Sequence, residues 1–485
     1  MEFPLYPALQ YRWRVEGDGS DAQLVYFGLR NPPGHTRNVI SLPAEVAAGL
    51  SRMDKETPAD RLPSALTGND LYHQLVNEEI IVEAKQVREP AARDYFQQCT
   101  KCVTNDFLLP GLEFDHRGVC AFCQCYERAE QSGYSALSSE GASDEELLSI
   151  AAENRDSRFD VMALCTGGKD STYLLWYLAK KLNLRVLAAS WNMPYTNDTS
   201  RENLRRSIRL LPNVELVERT LPWNMVRRAM HEQFTSVGLP CLCPMTAHAL
   251  FYPLAVQEHI PLFMHGVEEV QLAVMNYVMS EIQTTDPKKD AFPGHRANTL
   301  NFLRRICSTQ GPAQPMAINA DFQRYMASIR SVLAPVYRPL EHILDQAEQN
   351  PEMPIPHLRR LQSNTSYGSW PDMAALMSKE MGWQMPPGQK GLLHTSCRLE
   401  KLKDFCQFNR FQSMRSTTFP QSVVELGAGV YFGLISREAA LEELQEMGYY
   451  QQPEVMAELL SDLHIDPDRM DEMGELPCSL GACST

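Results

Sequence analysis

Residues 166–171 read Thr-Gly-Gly-Lys-Asp-Ser, and these are the residue types an anion-binding turn needs. The adjacent glycines, Gly167 and Gly168, let a backbone fold tightly and approach a ligand closely. Thr166 and Ser171 carry hydroxyls, Lys169 a cation, and Asp170 a carboxylate. The flanks agree. Residues 161–165 are apolar throughout, as in a buried parallel strand. Leu174, Leu175, Leu178 and Leu182 then recur at helical spacing. A helix that starts at the turn aims its first N–H groups, and the positive end of its dipole, at the bound anion. The spacing is not that of the Walker loop, which separates its glycines by four residues.

A second group of chemistry-bearing residues lies upstream. Cys99-x2-Cys102 and Cys120-x2-Cys123 are separated by 17 residues, the arrangement of a tetrathiolate zinc site. The polar stretch between the pairs is too short to build its own core, so a metal would stabilise it directly. No secretory pattern is read at the start of the sequence, so a cytoplasmic, reducing setting is expected and disulfides are not. An iron–sulfur cluster is the other occupant such thiols take, and Cys125 offers a spare ligand. Of the remaining cysteines, Cys241-x-Cys243 follows Gly238-Leu239-Pro240 and precedes a predicted helix, whose N-terminus would lower a thiol pKa. Cys397 accompanies His394. These three are read either as a cluster or persulfide site, or as structural thiols. Cys307 and Cys406 read as buried, and Cys478 and Cys483 fall in an acidic tail.

The elements that must position these groups alternate. Strands are expected at 160–165, 185–190, 214–218 and 260–265, with helices at 171–182, 200–210, 223–234 and 246–258. That order predicts an α/β fold, a doubly wound parallel sheet covered on both faces. Ligands of such sheets sit at the carboxyl ends of the strands, so 165–171, 190–192 and 265–269 are expected to converge. Asn192 lies at that rim, where the resemblance of residues 166–171 to a known nucleotide-binding loop implies a nucleotide contact; Gly266 is part of the same rim, and Glu268 or Glu269 is read as a carboxylate for magnesium or substrate. Residues 1–95 read as a small separate module, with strands at 24–27, 38–42 and 80–82 and helices at 43–50 and 71–79, an order like that of a winged helix. Residues 96–130 form the metal knuckle and 131–345 the nucleotide domain. Residues 346–366, rich in proline, read as a linker or surface loop. The C-terminal region to 470 reads as mostly helical, and 471–485 as a tail. Methionines at helical spacing, such as Met377 and Met381, are expected to fill the core.

The turn resembles the PP-loop of the ATP pyrophosphatase superfamily, Ser-Gly-Gly-x-Asp-Ser, with Thr166 in the place of the first serine. That resemblance implies a protein that binds ATP and Mg²⁺ and transfers AMP to an oxygen of its acceptor. Pyrophosphate is released, and a nitrogen or sulfur nucleophile then displaces AMP. It implies that Gly167, Gly168, Lys169 and Ser171 hold the leaving pyrophosphate. Taken with Cys-Thr-Lys-Cys at 99–102, Phe114 to Cys120, Trp383-x4-Gly388, His394-x2-Cys397-x2-Glu400 and Ile435 to Leu441, the chain is similar to the N-acetyl sugar amidotransferase family over residues 96–450. Members of that family convert an acetamido group on a sugar to an acetamidino group, with ammonia from a separate glutaminase subunit.

The expected activity is therefore an AMP-forming amidotransferase acting on a sugar, peptide or small acid, with Lys169, Asp170 and Ser171 at the adenylation step. The rival is a PP-loop sulfurtransferase that uses Cys241 and Cys397. The 485-residue chain carries a net charge of −15, which gives it no purchase on an RNA backbone. Arginine-rich stretches at 201–209, 227–228, 304–305 and 359–360 read as solvated helix faces. No apolar run reaches the length of a membrane span. No glutaminase triad is found, so free ammonia or a partner glutaminase must supply the nitrogen, or a separate donor the sulfur.

Overall fold

A computed structural model of the chain describes residues 3–17, 19–29, 39–131, 142–153, 157–266, 296–307, 317–361, 367–416 and 418–467. At its centre is a sheet of five parallel strands: β6 (Val161–Leu164), β7 (Val186–Trp191), β8 (Val214–Arg219), β9 (Leu262–His265) and β10 (His357–Arg359). Their spatial order is β10-β9-β6-β7-β8, so the chain moves outward from β6 in one direction, then returns to β9 and moves out in the other. Successive strand residues face opposite ways. Val161, Ala163, Val186, Ala188, Leu262 and Met264 enter one core; Met162, Leu187, Ala189, Phe263 and Leu358 enter the other. Both faces are therefore covered, as the apolar runs predict.

The first face carries α6 (Lys169–Trp176), α7 (Asp198–Leu210) and α12 (Trp370–Met381). The expected helix at 171–182 is α6 followed by a π turn over Tyr177–Lys181. The second face carries α9 (Cys243–Gln257) and α11 (Ala317–Gln349), with α8 (Trp223–Val237) packed outside on α11. Helices α13 (Leu399–Gln412), α14 (Gln421–Tyr431), α15 (Arg437–Met447) and α16 (Val455–Leu463) complete the C-terminal region.

The stretch 346–366 is not simply a linker. His357–Arg359 pairs in register with Leu262–Met264 as the edge strand, and Leu358 is fully buried. Three residues are too few to show a period, and the flanking prolines mask them.

The N-terminal residues build their own core. β2 (Trp13–Glu16), β3 (Gln23–Tyr26) and β4 (Val39–Ser41) form an antiparallel meander, and β1 (Pro7–Leu9) pairs with β5 (Ile81–Glu83). Helices α1 (Ala44–Leu50), α2 (Ser64–Thr67) and α3 (Asp70–Asn77) pack on them. Arg12 ties this unit to α13 through the carbonyls of Phe411 and Gln412.

Candidate functional site

The switch in strand order falls between β6 and β9, and in sheets of this kind the ligand crevice lies there. The turn that follows β6 is the Thr166–Ser171 segment. Gly167 has φ +81°, and a Cβ on it would sit 1.9 Å from the Ser200 carbonyl oxygen on α7. No side chain fits at that position. The residue after β9, Gly266, is also crowded, though less so, because its Cβ would lie 2.8 Å from Ser171 Cα. Gly266 thus abuts the start of α6, as expected of the rim. Glu268 and Glu269 lie outside the described residues.

Hydroxyls organise the turn. Ser171 Oγ accepts the N–H groups of Thr166 (3.2 Å) and Gly167 (3.1 Å) and lies 3.2 Å from Thr166 Oγ1. The Gly167 carbonyl accepts from Trp383 Nε1 at 3.2 Å and Asn203 Nδ2 at 3.4 Å. Lys169 is buried; its ammonium pairs with the half-buried Asp170 carboxylate and lies 5.3 Å from the Trp370 ring centroid. Asn192, at the end of β7, is exposed, and its amide donates to Thr220 Oγ1 (3.4 Å) beyond β8. Cys165, just before the turn, is buried and its thiol is pushed up to about 12 by that burial.

A segment from the far end of the chain covers this turn. Residues 393–398 run between the turn and the β7–α7 connection, with Thr395 Oγ1 accepting the Lys169 N–H at 3.3 Å and Thr196 bridging to Cys397. Behind it lies a buried polar chain. His394 Nε2 meets Asp404 Oδ2 at 2.5 Å, Ser422 donates to the same carboxylate at 2.7 Å, and Tyr449 is 2.8 Å from Ser422. Burial opposes the charge on His394, but Asp404, by charge and hydrogen bond, and Glu400 outweigh it and hold the imidazole above its usual pKa. Burial likewise opposes ionisation of Asp404, and the charge of His394 outweighs it, so the carboxyl stays below its usual range.

Three thiols lie along the same rim, but not all within 4.8 Å of one another, so the expected cluster is not closed. Cys241 precedes α9, Cys243 is its first residue, and Cys397 leads into α13. The hydrogen bond from Cys243 lowers the Cys241 thiol, burial opposes this, and Lys403 adds to the lowering; the result is about 7. Cys243 and Cys397 are raised, Cys243 by its bond to Cys241 and Cys397 by burial. Gln233 Nε2 (2.6 Å) and Tyr325 OH (2.9 Å) both donate to the Cys241 carbonyl and fix that backbone between α8 and α11. All three thiols are half-buried, and they lie near enough to influence one another's charge.

The upstream cysteines do meet. The sulfurs of Cys99, Cys102, Cys120 and Cys123 all lie within 4.8 Å of one another and are buried. Cys99 is 3.9 Å from Cys123, and Cys102 is 3.8 Å from Cys120. A tetrahedron with metal–sulfur bonds of about 2.3 Å has edges of about 3.8 Å, so the four sulfurs fit one ion. Backbone N–H groups of Lys101 and Cys120 point at Cys99 Sγ (3.4 and 3.3 Å), and that of Cys123 at Cys120 Sγ (3.5 Å). Hydrogen bonds from neighbouring thiols hold Cys99 and Cys102 down, while Cys120, through burial, and Cys123, through the same bonds, are pushed up. Four thiolates this close need a cation. Arg437 on α15 donates to the carbonyls of Cys99 (2.9 Å) and Cys102. The knuckle thus braces the C-terminal helices. Cys125 accepts from Arg128 at 2.9 Å. Among the described residues no disulfide forms, and no helix is long and apolar enough to cross a membrane.

The sequence reading missed Thr395, Trp383 and Asn203 as parts of the turn's environment. Trp383 and Thr395 were signalled only by the Trp383-x4-Gly388 and His394-x2-Cys397-x2-Glu400 patterns, and Asn203 by nothing.

No family model matches the chain, and no curated protein matches it. Among solved structures, U34-tRNA thiolase NcsA from Methanococcus maripaludis, with its [4Fe-4S] cluster, is similar over 51% of this chain and 87% of its own, at 13% identity and a TM-score of 0.19. A likeness at that score carries neither fold nor activity from one chain to the other.

Proposed function

We propose that this protein is an AMP-forming ATP pyrophosphatase-type enzyme that adenylates an amide or carboxyl oxygen of its acceptor. The observation that carries the reading is the double-glycine turn placed at the sheet's switch point, with a helix N-terminus behind it. In this reading Thr166, Gly167, Gly168, Lys169 and Ser171 hold the leaving pyrophosphate. Lys169 is buried against the Asp170 carboxylate, so its charge serves the phosphates once Asp170, itself in the turn, exchanges the ammonium for Mg²⁺. Gly266 and Asn192 border the nucleotide. Zinc occupies the four-thiol knuckle in a structural role, which the 3.8–3.9 Å sulfur spacing supports over a cluster that spreads its thiolates over several irons.

Two nucleophiles compete for the adenylated carbon. Ammonia-derived nitrogen, supplied by a separate glutaminase, fits the motifs shared with the N-acetyl sugar amidotransferases, and a sugar or peptide is then the acceptor. The second reading, sulfur transfer, is supported by Cys241, the most easily ionised of the three rim thiols, although the three sulfurs do not all come within 4.8 Å of one another. ATP–pyrophosphate exchange with candidate acceptors, Lys169→Ala serving as control, tests the adenylation step. Cys241→Ser and Cys397→Ser then separate the nucleophiles: turnover falls to background for sulfur and persists for nitrogen. Cleavage of ATP to ADP alone would refute the whole reading.

A further inference from the structure

Every backbone N–H from Thr166 to Lys169 already has a hydroxyl acceptor. Ser171 Oγ takes those of Thr166 and Gly167, Thr166 Oγ1 takes that of Gly168 at 3.4 Å, and Thr395 Oγ1 takes that of Lys169 at 3.3 Å. These are the donors that an anion at the start of α6 would use. Two of the three hydroxyls belong to the turn itself and can swing aside by side-chain rotation. Thr395 comes from 226 residues further along the chain.

The surroundings of Thr395 make its position consequential. Its carbonyl accepts from Ser200 Oγ (2.7 Å) and Asn197 Nδ2 (3.2 Å), and the next carbonyl, Ser396, accepts the Asn197 N–H at 3.0 Å. The segment lies directly on the turn, since a Cβ at Gly168 would be 3.2 Å from both Ser396 Cβ and Thr395 Oγ1. Threonine is β-branched and stiff at χ1. The preceding residue, His394, has φ +58°, a left-handed conformation costly for any residue but glycine. The His394–Asp404 pair holds it there. Two residues after Thr395 comes Cys397, whose N–H is bound to Glu400 Oε2 at 3.3 Å, while Glu400 Oε1 takes Ser396 Oγ at 3.3 Å. One short segment therefore touches both the anion turn and the thiol rim.

We propose that Thr395 is a nucleotide-sensing positioning residue: phosphate bound at 166–169 takes the Lys169 N–H from its hydroxyl, and the resulting shift of Thr395 loosens Cys397 two residues on, while the bonds to Asn197, Ser200 and Tyr195 keep the segment itself in place. The proposal rests on the nucleotide reading above. By linkage, whatever nucleotide binding does to Cys397, a modification of Cys397 does to nucleotide affinity.

The experiment uses the full chain. Mg·ATP binding is measured directly by calorimetry. In the same samples the rate of iodoacetamide labelling at Cys397 is followed by peptide mass spectrometry, with and without Mg·ATP. The expected result is labelling accelerated about fivefold or more at saturating nucleotide, the low end of the range for coupled sites. Thr395→Val removes the competing acceptor, so it should tighten Mg·ATP binding by about five- to a hundredfold, the factor matching the cost of a buried donor left alone. It should also abolish the nucleotide dependence of labelling, and Thr395→Ser should restore wild-type behaviour in both. Nucleotide that binds while labelling of wild-type Cys397 is unchanged or slower overturns the coupling but leaves the nucleotide reading standing. Weaker binding by Thr395→Val overturns it as well, since the hydroxyl would then be a ligand. Absence of any Mg·ATP binding by the wild type overturns both.

Discussion

Replacing Gly167 by alanine tests the geometry on which the nucleotide site depends. Two costs arise at that position. The φ of +81° is left-handed, which costs an L-residue about 1–2 kcal/mol. The new methyl group would stand 1.9 Å from the Ser200 carbonyl oxygen, where real Cβ contacts stay beyond 3.0 Å. That oxygen is backbone of α7 and cannot rotate away, so the turn or the helix must move by about 1 Å, an overpacking cost of about 1–3 kcal/mol. Together the loss is about 2–5 kcal/mol. At about 1 °C per kcal/mol for a chain of this size unfolding as one unit, the thermal midpoint should fall by about 2–5 °C. Movement of the turn should also displace the N–H groups from the pyrophosphate position and reduce ATP–pyrophosphate exchange by about a hundredfold, as loss of an oxyanion donor does. Gly388 provides the control. It has φ +77° but nothing within 4 Å of its would-be Cβ, so Gly388→Ala carries only the backbone cost. A Gly167→Ala protein that unfolds like Gly388→Ala and exchanges pyrophosphate at the wild-type rate would refute the assignment of a tightly packed anion turn.

Two other perturbations address the supporting structure. Metal analysis should give one zinc per chain; chelation, or Cys120→Ser, should destabilise the knuckle by several of the about 10–16 kcal/mol that such sites contribute, read as a lower unfolding midpoint and loss of the Arg437-dependent docking of α15, whereas a protein indifferent to chelators would argue for an unmetallated thiol cluster. His394→Gln should show a stability deficit that depends on pH. The raised pKa of His394 makes its contribution complete below about pH 6.5 and lost as pH rises through the folded value, while the lowered pKa of Asp404 makes its own contribution complete above about pH 4 and lost as pH falls through its folded value. Urea midpoints of wild type and variant at about pH 5, 7 and 9 should therefore converge toward alkaline pH, and a gap that widens there would contradict the ion pair.

Much of the fold can be read from local pattern. The apolar run at 161–165, the glycine pair and the leucine spacing after it all act within a few residues, and strand, turn and helix form where they predict. The paired Cys-x2-Cys motifs are also short-range devices, each a knuckle that closes on itself, and the four sulfurs meet. The parallel alternation of β6 to β9 follows from the same periodicities. β10 is different: its three residues have no period of their own and become a strand because β9 offers an open edge beside them.

The sequence by itself determined the chemistry available at the turn and the knuckle, because glycine, hydroxyl, lysine and thiol act at fixed local spacing. Only the tertiary structure decided what those groups face. Trp383 and Asn203 on the Gly167 carbonyl, Thr395 on the Lys169 N–H, and the Lys169 ammonium near the Trp370 ring all join residues far apart in the chain. Such contacts arise from how the C-terminal helices pack against the sheet, and packing between distant segments leaves no period in the sequence.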